Sequence, residues 1–239
     1  MEKPLYKRVL LKVSGEALGG GGVGSPLNFE VIRRVCEALK VCNDAGIQVG
    51  VVIGGGNIWR GVKDGNGKVD RVRADHMGMM ATVINSLAVA DTLEQMGVDV
   101  RVQTALEIRA VAEPYIRARA LRHLEKGRVV IFACGTGRPF FSTDTAAALY
   151  AAEIGAQAIL LAKNVDGVYD SDPNINPGAI RFDAITYADV LSRQLAVMDS
   201  TATSLSMDNH IPVIVFALEE PGNIYRVIMG EKLGTTVSN

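Results

Sequence analysis

"RVLLKVSGEALGGGG", residues 8–22, runs from an apolar stretch into a lysine, a Ser-Gly pair and then a run of glycines. The apolar part does not alternate with polar residues, as expected of a strand covered on both faces. The glycine-rich part suits a loop that a ligand or another backbone approaches closely. A strand that delivers Lys12 to such a loop has two readings, a phosphate site or an ordinary bend.

The same arrangement recurs along the chain. "IQVGVVI" (47–53) ends in "GGGN", "RVVIFAC" (128–134) ends in "GTGRPF", and "AQAILLA" (156–162) ends in the polar, turn-rich "KNVDGVYDSDPNINP". "VDVRVQT" (98–104) and "IPVIVFAL" (211–218) are further strand candidates. Helical spacing covers 28–46, with Asn28 as cap and Gly46 as stop, and again 75–96, 113–125, 142–155, 186–195, 199–209 and 221–229. Ser142, Thr143 and Asp144 open the fourth of these helices, and Gly155 closes it. Strands that alternate with helices predict an α/β fold, a three-layer αβα sandwich around a mainly parallel sheet. The whole chain, 1–239, reads as one domain; if it has two halves, they meet near 155–165.

Composition narrows the function classes. Lys plus Arg number 25 against 26 Asp plus Glu, a balance with no general pull toward nucleic acid or an anionic membrane. No apolar run approaches the roughly 20 residues of a membrane span. "MEKPLYKRV" lacks the apolar core of a signal peptide. Cys36, Cys42 and Cys134 are an odd number with no CxxC pair, which disfavours a disulfide framework or a zinc site and fits a reducing cytosol.

In a parallel α/β fold, ligands bind at the carboxyl ends of the strands. One glycine loop there is weak evidence of phosphate binding; three on one edge, each with Lys12, Arg60 or Arg138 nearby, are stronger. The P-loop pattern is absent: the only Gly-Lys, Gly67-Lys68, has Val62 where the first glycine belongs. "GGGGVG" (19–24) satisfies GxGxxG trivially but lies too far from its strand for a dinucleotide fingerprint. No GxSxG elbow supports hydrolase chemistry. Lys12 reads as a group for phosphoryl oxygens or a solvated strand-end lysine, and Arg60 as a phosphate fork. Asp75 reads as the cap of a long helix or a ligand contact. Thr136, Ser142, Thr143 and Asp144 surround a helix N-terminus suited to an anion, where Asp144 is either a second cap or the partner of Lys12. His76 beside Asp75 looks like a charge pair, but a lone histidine reads as structural or solvated. His123 and His210 lack ligand partners at metal spacing. Met77, Met79 and Met80 read as a core or subunit contact, and the arginines of 101–128 as a solvated helix face.

"YKRVLLKVSGEAL" (6–18), "GIQVGVVIGGGNIWRG" (46–61), "DHMGMMATVINSLA" (75–88), "GTGRPFFSTDTAAAL" (135–149) and "NVDGVYDSDP" (164–173) closely resemble the bacterial uridylate (UMP) kinases of the amino acid kinase superfamily. The resemblance runs essentially end to end. It implies transfer of a phosphoryl group from MgATP to UMP in a cytoplasmic enzyme of pyrimidine nucleotide synthesis. UMP would be held by roughly 1–155 and ATP by roughly 156–239. Residue by residue, it implies Lys12, Arg60 and Asp144 as catalytic. ATP would be bound by Lys12, Val13, Ser14, Gly15, Gly56, Arg60, Lys163, Asn164, Tyr169 and Asp172. UMP would be bound by Gly55, Asp75, Thr136, Gly137, Arg138, Pro139, Phe140, Phe141, Ser142 and Thr143. Magnesium would enter with ATP, with no metal site of the protein's own. The resemblance further implies a homohexamer, activation by GTP and inhibition by UTP, through Gly20, Gly21, Gly22, Val23, Gly24, Arg101 and Arg128. Ala90 and Glu94 stand where basic groups are common at that effector site, and Ala162-Lys163-Asn164 departs from the usual run before Val-Asp-Gly. Two other readings stay open: a relative that makes an acyl phosphate on acetylglutamate or carbamate, and a non-catalytic uridine-nucleotide sensor.

Overall fold

The structure, a computed structural model, describes residues 3–19, 26–60, 67–173, 175–195 and 197–239. Gly20, Gly21, Gly22, Val23 and Gly24 therefore lie outside the described residues. In chain order the elements are β1 Arg8–Val13, α1 Gly15–Leu18, α2 Phe29–Asp44, β2 Gln48–Ile53, α3 Arg71–Gln95, β3 Val100–Thr104, β4 Glu113–Pro114, α4 Arg117–Glu125, β5 Val129–Ala133 and α5 Thr143–Ile154. There follow β6 Ala158–Lys163, β7 Val168–Tyr169, β8 Arg181–Phe182, β9 Ala184–Thr186, α6 Tyr187–Ser192, α7 Ser200–Asp208, β10 Val213–Ala217, α8 Asn223–Ile228 and β11 Thr235–Ser238.

A nine-stranded sheet in the order β4-β3-β5-β2-β1-β6-β10-β11-β9 forms the middle layer among the described residues. Every pairing from β4 to β10 is parallel; β11 runs antiparallel to β10, and β9 follows β11. The sheet is covered on both faces, so β1, β2, β5, β6 and β10 are buried along nearly their whole length. On one face Val9, Leu11 and Val51 pack against α2, the C-terminal half of α3 and α8. On the other, Leu10, Val52 and Leu161 pack against α4, α5, α6 and α7. Alternate residues of one strand therefore serve two separate cores, which is why these strands read as continuous apolar runs. Cys36 and Cys42 belong to the first core; burial pushes both thiols up to about 12, which keeps them protonated and unreactive near neutral pH.

Two boundaries and two short strands differ from the sequence reading. The long helix starts at Arg71, capped by Asp70, whose side chain accepts from Arg73 N, so Asp75 lies in its second turn and is not its cap. Glu113 and Pro114 form an edge strand instead of a helix start; an edge position tolerates a proline because no ladder donor is required there. The arginines of 101–128 accordingly fall on several elements: Arg101 is in β3 and Arg128 just precedes β5. The short polar strands β9 and β11 carried no apolar run to announce them.

Candidate active site

Strands β5, β2, β1 and β6 are parallel neighbours, so their carboxyl ends open on the same edge. The chain leaves β1 toward β2 on one side and later returns to β6 on the other. Lys12 thus lies at the point where strand order reverses, the usual place for a ligand crevice in open α/β sheets.

Lys12 is buried, and its Nζ lies 2.6 Å from Oδ1 of Asp144 in the first turn of α5. The contact is a close charge pair; Oδ1 has no angularly aligned hydrogen-bond donor. Ser142, not Asp144, caps α5, its hydroxyl accepting from Asp144 N and Thr145 N. Asp144 is therefore available to hold the lysine. Lys163, at the end of β6, is the third member of the cluster. Burial pushes its ammonium pKa down; Asp144 pulls it back up and Lys12 lowers it further. Its Nζ donates to the Val197 carbonyl.

The loop after β2 is fastened from two sides. Gly54 N donates to Val13 O at 2.9 Å. From α3, fully buried Asn85 donates to Gly54 O at 2.6 Å and exchanges hydrogen bonds with Asn57 at 2.7 and 3.0 Å. Gly15 faces this loop so closely that a Cβ there would run into the Gly54 carbonyl. The two glycine loops can touch only because neither residue has a side chain at the contact. Arg60 pairs with Glu16 of α1 and its Nε donates to Gly56 O at 3.4 Å.

Gly55, Asp75, Gly78, Thr136, Phe141 and Thr143 line a small cavity of about 160 Å³ between the β2 loop, α3 and the β5 loop. Asp75 accepts from Arg71 Nε at 2.9 Å and from Phe140 N at 2.8 Å, so its partner is Arg71 and not the neighbouring His76. The Arg71 guanidinium also lies 5.2 Å from the Phe140 ring centre. Gly137 and Phe140 both have positive φ, 71° and 70°, in a loop where Thr136 Oγ1 accepts from Arg138 N at 3.2 Å. Phe140 and Phe141 are exposed at the mouth of this cavity, and Pro139 lies between Arg138 and Phe140 in the same turn.

Asn164 lines a second cavity of about 610 Å³ with Glu16, Arg34, Leu218 and Pro221. Tyr169 sits on β7, its hydroxyl donating to Asp166 at 2.7 Å, and Asp166 also pairs with Arg181 at 3.0 Å. These contacts hold the Asp166 carboxyl below its ordinary value, the Tyr169 hydrogen bond foremost. Asp172 turns the chain beyond β7, its carbonyl accepting from Asn176 N at 2.8 Å. Val13 ends β1, and Ser14 and Gly56 are on the loops already described. Ser14 caps α1.

Arg101 and Arg128 are elsewhere, toward the amino ends of β3 and β5. They surround Glu113, with Arg101 at 3.7 Å from it, His123 Nε2 at 3.1 Å, and Arg128 Nη1 at 3.0 Å from the other His123 nitrogen. Desolvation raises the Glu113 carboxyl, but hydrogen bonds from Gln103 and His123 and the nearby positive charges outweigh it, leaving a net downward shift. His123 thus has a carboxylate partner ten positions away on another element, a pairing that local spacing does not reveal.

Asp199 also escaped the sequence reading. It caps α7 by accepting from Ala202 N at 2.9 Å, and it accepts from Ser142 Oγ and, at 3.0 Å, from Thr145 Oγ1. One carboxylate therefore ties two helix N-termini together beside Asp144. Asp199→Ala removes a cap and leaves two hydroxyls without their acceptor, an expected loss of about 2–3 kcal/mol. Urea unfolding followed by circular dichroism measures it, and an unchanged midpoint would contradict the tie.

The depressed Lys163 pKa carries a sign. The unfolded chain holds that proton more tightly, so below the folded value burial of the charge is a constant penalty. As pH rises through the folded value toward the unfolded one, the penalty is relieved. Relative to Lys163→Met, the wild type should gain stability as pH rises through the lowered folded value toward the ordinary lysine value of about 10. Paired urea titrations across that range test this; a gap independent of pH would refute it.

The family model described as "Amino acid kinase family" matches residues 7–228. A UMP kinase from Bacillus anthracis superposes with a TM-score of 0.94 at 42% identity, over 98% of this chain and 96% of that one. A UMP kinase from Ureaplasma parvum gives 0.90 at 38% identity, over 98% and 99%. A uridylate kinase from Archaeoglobus fulgidus gives 0.76 at 26% identity, over the whole of both chains. The chain belongs to the amino acid kinase family and groups within it with the UMP kinases.

Proposed function

We propose that this protein transfers the γ-phosphoryl group of MgATP to UMP, giving ADP and UDP. The observation that carries this reading is the Lys12–Asp144 pair, set between the loop with Ser14 and Gly15 and the cavity with Gly55, Asp75, Thr136 and Thr143. The acceptor is already an anionic oxygen nucleophile near neutral pH, so no general base is needed. A UMP phosphate oxygen forms a bond to the γ-phosphorus while the bond from that phosphorus to the β,γ-bridging oxygen breaks. The electron pair leaves with ADP. Charge shifts from one phosphate chain to the other through a loose transition state, and catalysis consists of positioning and positive charge.

In this reading Lys12, held by Asp144, meets the transferring phosphoryl oxygens, with Arg60 and Gly56 on the same side. Val13, Ser14, Gly15, Lys163, Asn164, Tyr169 and Asp172 hold ATP. Gly55, Asp75 and the segment Thr136, Gly137, Arg138, Pro139, Phe140, Phe141, Ser142 and Thr143 hold UMP. Asp75 reaches the ribose by exchanging its bond from Phe140 N for the sugar hydroxyls. Magnesium travels as part of MgATP. The protein works in the cytoplasm in pyrimidine nucleotide synthesis and assembles as a hexamer. It responds to GTP and UTP through Arg101, Arg128 and the 20–24 loop.

The test is ADP formation by the purified protein with MgATP and, separately, UMP, CMP, dUMP, acetylglutamate or carbamate. Rapid turnover with UMP supports the proposal. Turnover with acetylglutamate or carbamate instead would move the protein to acyl phosphate chemistry. Tight UMP or UTP binding without turnover of any acceptor would make it a sensor.

A further inference from the structure

The loop that follows β5 carries left-handed backbone at Cys134, Gly135, Gly137 and Phe140, with φ of 67°, 54°, 71° and 70°. Cys134 and Phe140 are not glycines, so the turn is strained and persists only because its surroundings hold it. Cys134 and Gly135 are buried, and they are held from two helices. From α3, the Thr82 hydroxyl accepts from Cys134 N at 2.8 Å. From α5, the Tyr150 hydroxyl donates to Gly135 O at 2.9 Å. Gly135 and Thr136 then line the cavity assigned to the acceptor, with Asp75 and Thr143.

The buried Tyr150 ring has a fixed place. It stacks on Phe132 of β5, with centroids 4.6 Å apart and planes 15° from parallel, and Tyr115 meets it edge-on at 4.8 Å. Tyr115 is in turn tied through its hydroxyl to Glu153 of α5. Burial foremost, with the charge of Glu153, raises the Tyr150 hydroxyl above its ordinary value, so it stays protonated as a donor.

We propose that Tyr150 is a positioning residue for the acceptor nucleotide: its hydroxyl, by holding the Gly135 carbonyl, fixes the strained turn that sets Thr136 against the cavity. The inference rests on the reading of this cavity as the UMP site. Tyr150 lies on the same helix as Asp144, the partner of Lys12, so one rigid element sets both the buried cation and the acceptor loop. Without the hydroxyl, the Gly135 carbonyl loses the donor that satisfies it. The turn then relaxes toward ordinary φ values, and Thr136 leaves its place. The loops after β1 and β6, assigned to ATP, are not altered.

Tyr150→Phe keeps the ring and its packing and deletes only the hydroxyl. Steady-state kinetics with UMP and MgATP test the proposal, beside hydrogen exchange over 134–141 read by mass spectrometry. KM for UMP is expected to rise about 10-fold, with KM for ATP and kcat within about 2-fold of the wild type. Amides of 134–141 are expected to exchange about 10-fold faster, while the central strands keep their protection. A tyrosine that only stabilises the fold would lower the urea midpoint and leave the ratio of the two KM values unchanged. That result would overturn the proposal, as would unchanged exchange over 134–141. A wild type that does not phosphorylate UMP would instead sink the UMP reading, and exchange alone would then decide whether Tyr150 holds the turn.

Discussion

Lys12→Ala is expected to lower kcat for UMP phosphorylation by about 10³-fold, with KM for either nucleotide changed by no more than about 3-fold. Lys12 is the buried cation at the strand-order reversal, and Asp144 fixes its ammonium at 2.6 Å. A preorganised charge in a crevice of low polarity stabilises the transition state more than either bound nucleotide, so its loss falls on kcat. Asp144→Ala should act through the same group. Without its carboxylate the Lys12 ammonium loses the group that holds it, and the charge of nearby Lys163 is no longer offset, so the Lys12 position changes. The double variant Lys12→Ala/Asp144→Ala should then be little slower than Lys12→Ala alone, because the two residues act as a unit. Steady-state kinetics of the three variants measures this, and fully multiplicative losses would show that Asp144 has an independent task.

Gly55→Ala is expected to lower kcat/KM for UMP by about 100-fold or more and to cost about 1–3 kcal/mol of stability. A Cβ on Gly55 would lie 2.8 Å from the Gly78 carbonyl, 2.9 Å from the Ala81 Cβ and 3.2 Å from Thr82 N. Two of these are backbone atoms of α3, whose helical hydrogen bonds resist displacement. The β2 loop must then back away from the helix that carries Asp75, and the acceptor cavity between them loses its shape. Thr82 adds to the strain, because its hydroxyl links α3 to Cys134 N at 2.8 Å on the neighbouring strand end. Parallel measurement of kcat/KM and urea stability checks both parts. Wild-type values in both would mean that the loop and the helix are not in the close contact described.

The parts of the fold legible in the sequence were those where one physical cause acts locally. β1, β2, β5, β6 and β10 lie between two cores, so their apolar runs announced them. Asn28 and Ser142 accept from their helices' first amides, as their identity and position suggested. The glycine loops were legible as points of close approach, and their meeting on one edge followed once the strands were taken as parallel. What stayed hidden depends on distant partners. Asn85 looked like any polar residue in a long helix until its bonds to Gly54 and Asn57 were seen. Asp199 drew no notice at the start of its helix, and nothing near it in the chain points to Ser142 or Thr145. Asp70 and Asp75 are equally good caps by residue type, and only the path of the chain distinguishes them. Met77, Met79 and Met80 were read together as a core or subunit contact; Met79 is buried, and Met77 and Met80 are exposed. That division follows from helical phase.

The measurement that bears most directly on the account is the fate of the label when the purified protein is given γ-labelled ATP, magnesium and UMP. The account predicts that label appears in the β-phosphate of UDP in step with ADP, and that Lys12→Ala slows this by about 10³-fold while UMP binding persists. Label released only as inorganic phosphate, or transfer to UMP at the wild-type rate in Lys12→Ala, would contradict it.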